Sequence, residues 1–210
     1  LCKISAIGLL SGALIACEKD KSKADVVAFE LAQSIVKNTI SIYKSTTNLS
    51  ILDVIHKTSQ GIQTACISSS FIYLDPTQMS LQTARGIGYG SLISAFESMK
   101  NKEAIVCETA ANGAIQGSLI IANSMHLKLP EICNNVSDGF LNGILDASKE
   151  VEIGSEGIQI ATKEGCIFGI GDASSIIKLS KFEMEELIDE SKIGIDNALY
   201  RNKLNKNNPN

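Results

Sequence analysis

A glycine-centred pattern that recurs about every 26 residues is the strongest constraint on how this chain folds. Five segments share a core of glycine, three residues, then glycine or alanine, and their first glycines are separated by 25, 27, 26 and 26 positions. Self-similarity at a fixed period is typical of repeat architectures built from one supersecondary unit. The cores run from Gly61 to Ala65, Gly86 to Gly90, Gly113 to Gly117, Gly139 to Gly143 and Gly165 to Gly169.

Each core is predicted to lie inside a helix, because the small and apolar residues around it recur at helical spacing. Pro76 after Asp75, and a Ser-Lys-Phe-Glu capping box that begins at Ser180, mark helix starts. Short connections make successive helices antiparallel, so we predict an all-α antiparallel repeat array or bundle of about six to seven helices. The expected helices are Ala24–Tyr43, Ser50–Leu74, Pro76–Lys100, Glu103–His126, Pro130–Glu150, Ser155–Leu179 and Lys181–Lys203.

Glycine in a helix interior costs about 1 kcal/mol relative to alanine, so the repeated glycines need a compensating interaction. We expect close approach of helix backbones, with small-residue faces nested against one another. The same geometry is known from membrane helices, and a membrane-inserting, glycine-zipper-like oligomer is therefore an alternative. Arg85, Glu97, Gln116 and Asp146 lie within or beside the cores and favour helix packing in water.

The first 17 residues have the order of a bacterial export signal. Lys3 provides a positive charge, and the uncharged apolar run over residues 4–16 is too short to span a bilayer comfortably. The run ends in Leu14-Ile15-Ala16-Cys17, which resembles the lipobox of bacterial lipoproteins. That resemblance covers residues 1–17 only, and it implies cleavage after Ala16 and acylation of Cys17.

The lipobox implies a domain organisation and a location. Residues 1–16 would be a signal peptide and residues 17–23 a tether. The helical pattern predicts a single repeat domain over residues 24–203, and the polar C-terminal composition predicts a disordered tail over residues 204–210. Acylated Cys17 would hold the protein on the extracytoplasmic side of a bacterial membrane, because two or more acyl chains anchor firmly. An ordinary secretory peptide and a buried N-terminal helix are the alternatives.

Charge and histidine content argue against several function classes. The chain has 19 basic and 23 acidic residues, a balance that disfavours nucleic-acid binding. His56 and His126 are its two histidines, and no serine or cysteine has the context of an activated nucleophile. The Gly86-x-Gly88-x-Gly90 segment lacks the strand that precedes a phosphate-binding loop, and the acidic residues of 183–190 lack calcium-loop spacing. We predict no catalytic residue, cofactor or metal.

Four cysteines follow Cys17, and their spacing matches no metal motif. They are Cys66, Cys107, Cys133 and Cys166. Buried, unreacted thiols are the favoured interpretation. If a disulfide forms, Cys133–Cys166 is the pairing that the alternating helix directions allow.

These observations predict a structural or protein-interaction module of a bacterial envelope, with a protein partner or self-association. Stacked helices present extended faces that suit protein binding. A small-molecule binding protein or hydrolase with a pocket between helices, which His56 could line, is a further alternative.

Overall fold

A computed structural model describes residues 2–17, 20–43, 50–71 and 74–207, and in this part of the chain the regular structure is entirely helical. The predicted all-α fold is confirmed. A 3-10 turn at Lys21–Lys23 precedes the second helix. The α-helices are α1 (Cys2–Ala16), α2 (Ala24–Tyr43), α3 (Ile51–Ser70), α4 (Pro76–Ser98), α5 (Glu103–Ser124), α6 (Leu129–Glu150), α7 (Glu156–Ile177) and α8 (Lys181–Asn207).

Several helix starts are stabilised by the side chains that the sequence singles out. The Asp75 carboxylate accepts a hydrogen bond from the Thr77 backbone N–H at 2.9 Å, and Pro76 begins α4. At α8 the Ser180 N–H donates to the Glu183 carboxylate at 2.8 Å, and the Glu183 N–H donates to Ser180 Oγ at 3.3 Å. These reciprocal bonds satisfy N–H groups that the first turn of a helix leaves without partners.

The helix ends repeat as regularly as the glycine cores. His126, Glu152 and Lys178 follow α5, α6 and α7 at 26-residue intervals, and their φ angles are 56°, 53° and 59°. The next residue in each case is apolar and donates its N–H back to the helix, as Leu127 does to the Ala122 carbonyl at 2.9 Å. This is a Schellman-type ending, and it turns the apolar residue onto the core.

The main packing joins helices that are two positions apart in the chain. A Cβ built on Gly113 would lie 2.3 Å from the His56 carbonyl oxygen, and one on Gly117 would lie 2.4 Å from that of Gln60. Residue numbers increase in the same direction along the two helices from one contact to the next, so α3 and α5 are parallel. The array therefore has two layers, an odd layer of α1, α3, α5 and α7 and an even layer of α2, α4, α6 and α8.

We expected small-residue faces to nest against one another, but most of the core glycines approach the backbone of larger residues. Gly86, which approaches Ala32 as well as the Phe29 carbonyl, is an exception. Gly139 approaches the Leu81 carbonyl, and Gly143 approaches that of Arg85, with built Cβ distances of 2.1 and 2.0 Å. The nearest receiving atoms are backbone atoms, so the contact does not require a small side chain on the receiving helix. The structural repeat is thus a pair of helices, twice the 26-residue sequence period.

The first helix takes a full place in the odd layer. Ala6, Leu10 and Leu14 of α1 are 2%, 0% and 2% exposed. A Cβ on Gly61 of α3 would lie 2.6 Å from the Lys3 carbonyl oxygen, which is the same close approach as in the later pairs. Residues 2–16 are thus packed as a helix of the array, which is the arrangement that the buried-helix alternative anticipates. Cleavage after Ala16 stays a prediction.

The predicted tether and tail are only partly described. Cys17 is 9% exposed at the end of α1, and residues 18 and 19 lie outside the described residues. Helix α8 continues through Asn207, so residues 204–207 are helical instead of disordered. Lysine and leucine in this stretch are good helix formers and extend the last helix. Residues 208–210 lie outside the described part of the chain.

Candidate interaction surface

A cluster of aromatic and charged side chains lies across three parallel helices of the even layer. The Arg85 guanidinium of α4 lies 5.2 Å from the centre of the Phe29 ring of α2. Phe29 and Tyr89 meet edge to face with ring centres 5.8 Å apart. Arg85 Nη2 also donates to the Asp146 carboxylate of α6 at 2.7 Å, and Tyr89 donates to that of Glu150. We call these five residues the aromatic–arginine cluster.

The cluster is partly accessible to solvent. The side chains of Arg85 and Asp146 are 42% and 36% exposed. Burial, the hydrogen bond to Glu150 and the charges of Glu150, Asp146 and Glu30 together raise the pKa of Tyr89 to about 12. Tyr89 therefore stays a neutral hydrogen-bond donor at physiological pH. Tyrosine and arginine are, with tryptophan, the residues enriched among those that carry most of the binding energy in protein interfaces.

A groove of about 350 Å³ continues from the cluster towards the C-terminal end of the array. Its lining combines two arginines with amides and a carboxylate, from Leu81, Arg85, Asn142, Asp146, Arg201 and Asn205. Arg201 pairs with Asp138, and Asn142 donates to the same carboxylate at 2.6 Å. Burial nevertheless raises the pKa of Asp138 above its usual value.

A polar ladder crosses the odd layer on three parallel helices. His56 Nε2 of α3 lies 3.1 Å from Asn112 Oδ1 of α5, and Asn112 Nδ2 donates to Asp172 of α7 at 3.1 Å. One turn away, Gln60 donates to Gln116 at 2.8 Å. These side chains flank the glycine contacts, so they stabilise the register of the stacked helices. His56 therefore contributes to the packing of α3 on α5. Its hydrogen-bond partner is an amide, which is not a nucleophile.

The pKa of His56 is lowered, mainly because burial disfavours its charged form. The hydrogen bond to Asn112 and the charges of Asp172 and Asp53 oppose this effect, whereas Lys57 adds to it. The folded state therefore binds fewer protons than the unfolded state at pH values near the unperturbed histidine pKa of about 6.5.

We expect the free energy of unfolding to decrease as the pH is lowered below about 6.5, by at most about 1.4 kcal/mol per pH unit from this one group. Above that pH the contribution of neutral His56 is fully present. Urea unfolding between pH 5 and 8 should show the slope, and His56→Gln should abolish it. The matched variant His126→Asn should keep it, and an unchanged slope in His56→Gln would contradict the assignment.

The other predicted site residues have structural roles in the described part of the chain. His126 occupies the left-handed position after α5. Within the acidic segment, Glu183 caps α8, Asp189 pairs with Lys192 at 2.7 Å, and Glu190 accepts from Asn134 at 2.9 Å. Among the described residues no group of three or more His, Cys, Asp or Glu side chains is placed to hold a metal ion.

The four cysteines that follow Cys17 are buried free thiols. Cys66, Cys107, Cys133 and Cys166 are all 0% exposed, so the predicted burial is confirmed. The structure has Cys133 and Cys166 as free thiols and does not contain the bridge considered between them. Burial raises the pKa of Cys66 to about 12 and that of Cys166 to about 11, which leaves little reactive thiolate.

Sequence reasoning missed the aromatic–arginine cluster as a unit. Arg85 and Asp146 are 61 positions apart, as are Tyr89 and Glu150, which is close to the spacing of helices in direct parallel contact. Twice the 26-residue period is 52 positions, so a search for complementary side chains at that spacing would have missed both pairs. The 26-residue period does not reveal these pairs either, because it relates helices that are adjacent in the chain, and such helices belong to different layers.

Helix α5 is the one described helix that is long and apolar enough to cross a membrane by length and composition. Its most apolar 18-residue stretch is 61% buried inside the array, and a helix in the core of a protein can be equally long and apolar without crossing a membrane. Comparison with known protein families and with curated proteins finds no match to this chain.

Proposed function

We propose that this chain is a protein-interaction module that binds a partner through the outer surface of its even layer. The observation that carries the proposal is the aromatic–arginine cluster, which combines side chains from three helices on one accessible surface. Its rings and guanidinium already contact one another, so binding would require little side-chain ordering. The groove beside it adds unpaired amide groups at Asn205 and paired charges at Arg201.

The composition of the surface supports a protein partner in preference to other ligands. Two arginines in the groove are matched by Asp138 and Asp146, so no strong net positive field is present for a phosphate backbone. The groove is open and about 350 Å³ in volume, and its polar groups mostly pair with each other instead of converging on one point. An extended peptide or a helix edge fits such a surface better than an enclosed small molecule.

Position-specific photo-cross-linking in cells of the source organism tests this function. A cross-linking amino acid at Asn142, in the groove, should give an adduct with one defined protein. The same amino acid at exposed Lys57, on the odd layer, should not give that adduct. Arg85→Ala should remove it while leaving the helical content unchanged. An adduct that is equal from both positions, or insensitive to Arg85→Ala, would overturn the proposal.

A second candidate is the lipid-anchored form of the same module, supported by the lipobox-like residues that end at Cys17. Acylation would place the interaction surface beside an extracytoplasmic membrane face. The packing of α1 on α3 opposes it, because cleavage would expose the face around Gly61. The intact mass of the protein from its native membranes, compared with Cys17→Ser, decides between them. A mass of Cys17–Asn210 plus acyl chains, lost in the variant, would support the anchor.

A further inference from the structure

The odd layer is built by repeating one contact. Each helix presents a glycine face, and the preceding parallel helix presents a receiving face, which is the backbone that the glycines approach. Gly113 and Gly117 of α5 lie on His56 and Gln60 of α3. The same relation places Gly165 and Gly169 of α7 on Glu108 and Asn112 of α5, as the built Cβ positions show.

Helix α1 carries a glycine face on which none of the described residues lies. The Lys3 backbone of α1 lies against Gly61, as the His56 backbone of α3 lies against Gly113. Lys3 and His56 are therefore equivalent, and equivalent residues of α1 and α3 are 53 positions apart. The α1 equivalents of Gly61 and Ala65 are thus Gly8 and Gly12. A Cβ on either of them would meet no atom within 4 Å.

The outward stripe of α1 is apolar as well as glycine-rich. Ile4, Leu9 and Ile15 are 72%, 58% and 55% exposed. No charged residue occurs from Ile4 through Ala16. Helical repeat arrays need terminal faces that are polar for solubility, and this face is the opposite. It has the composition of an interior contact between repeats.

Helix α7, at the other end of the odd layer, carries a receiving face that no helix of the described chain covers. The residues of α7 that correspond to Glu108 and Asn112 are 52 positions later, at Ile160 and Glu164. Ile160 is 57% exposed, and Phe168, one turn further along the same stripe, is 53% exposed. A Cβ on Gly171, which follows on this side, would meet no atom within 4 Å.

The even layer ends in a compatible way. The residues of α2 that correspond to Gly86 and Gly90 of α4 are 52 positions earlier, at Ser34 and Asn38, and both are exposed. At the far end of this layer Ile193 and Tyr200 of α8 are 47% and 64% exposed. A further repeat on α7 and α8 would therefore meet exposed apolar residues in both layers, and the opposite end of the array presents small or polar residues on α1 and α2.

We propose that copies of this chain assemble head to tail, with the outward face of α1 in one copy packing on the outward face of α7 in the next. The second copy is the occupant that the structure specifies, because its α1 presents the glycine face in the register that α7 continues. The contact is heterologous, so an open assembly keeps one free face of each kind at its two ends and either grows as a chain or closes as a ring.

Two single substitutions block the two faces separately. Gly12→Glu places a carboxylate in open space on α1, where it would face Glu164 of the neighbouring copy. Phe168→Glu places one on the receiving face of α7. A Cβ on Gly12 would meet no atom within 4 Å, and Phe168 is 53% exposed, so neither change places a carboxylate in the core of its own copy. Ile105→Glu, at an exposed position near the start of α5, is the matched control.

Sedimentation velocity over a range of concentrations gives the readout. The unaltered chain and Ile105→Glu should show species that grow with concentration, whereas Gly12→Glu and Phe168→Glu should each be monomeric with unchanged circular dichroism. An equimolar mixture of the two blocked variants should form a one-to-one dimer and nothing larger, since it has one usable face of each kind. A monomeric unaltered chain at every concentration, or a mixture that stays monomeric, would overturn the proposal.

Discussion

Replacing Gly165 by alanine is expected to destabilise the fold by about 3 kcal/mol or more, at the upper end of what overpacking costs. The added methyl group would lie 2.2 Å from the Glu108 carbonyl oxygen and 2.9 Å from its carbonyl carbon. Those atoms belong to the backbone of α5, so no side-chain rotation can relieve the overlap. The two parallel helices would have to separate along their whole contact.

Gly171→Ala in the same helix is the matched control, because a Cβ there meets nothing within 4 Å. It should stabilise the protein by up to about 1 kcal/mol, the helix-propensity difference between the two residues. Urea unfolding of the two variants and the unaltered chain measures both effects. Opposite signs would show that the glycines act through helix approach, whereas similar small changes at both positions would contradict the close packing.

The helices could be predicted from the sequence because their signals are local. The starts at Pro76 and Glu103 agree with the expected residues, and the start of α6 at Leu129 differs by one position. Proline at the first turn and capping side chains act within single helices, and each small-residue core lies within one helix as well. The same locality explains the error at the C terminus, where polar composition suggested a tail but residues 204–207 continue α8.

The choice of packing partner could not be predicted from the same signals. A glycine face such as that of Gly139 and Gly143 shows that some backbone comes close, but it does not say which helix supplies it. In the structure this backbone is that of Leu81 and Arg85 in α4, two helices earlier in the chain. The receiving face carries no compositional signature, because it contributes backbone atoms and tolerates many side chains.

The N-terminal segment illustrates a second ambiguity. An uncharged apolar run with small residues has the same sequence whether it is a cleaved signal or a helix packed in a repeat array. Gly8 and Gly12 lie outside the five cores that repeat every 26 residues, although they precede Gly61 and Ala65 by 53 positions, which is about twice that period. Counting over pairs of helices would have placed this segment in the odd layer.

Removal of residues 1–16 is expected to cost on the order of 4 kcal/mol, since burying each leucine side chain contributes about 1.5–3 kcal/mol. Leu10 and Leu14 are 0% and 2% exposed in the contact between α1 and its neighbours. The truncated chain Cys17–Asn210 would also expose the face of α3 that includes Gly61. Urea unfolding of the truncated and full chains measures the loss, and a chain of marginal stability would lose much of its folded population.

Single substitutions within α1 separate packing from any effect of the new terminus. Leu10→Ala should cost about 2–5 kcal/mol, because it leaves a cavity at a fully buried position. Leu9→Ala removes the same atoms at a position that is 58% exposed, and it should change the free energy of unfolding by less than about 0.5 kcal/mol. If the truncated chain were as stable as the full one and both variants were neutral, α1 would be dispensable to the fold, and cleavage before Cys17 would leave a complete domain. A large loss on truncation that Leu10→Ala reproduces in part would instead make α1 the first helix of the array, whose outward face is then available for assembly.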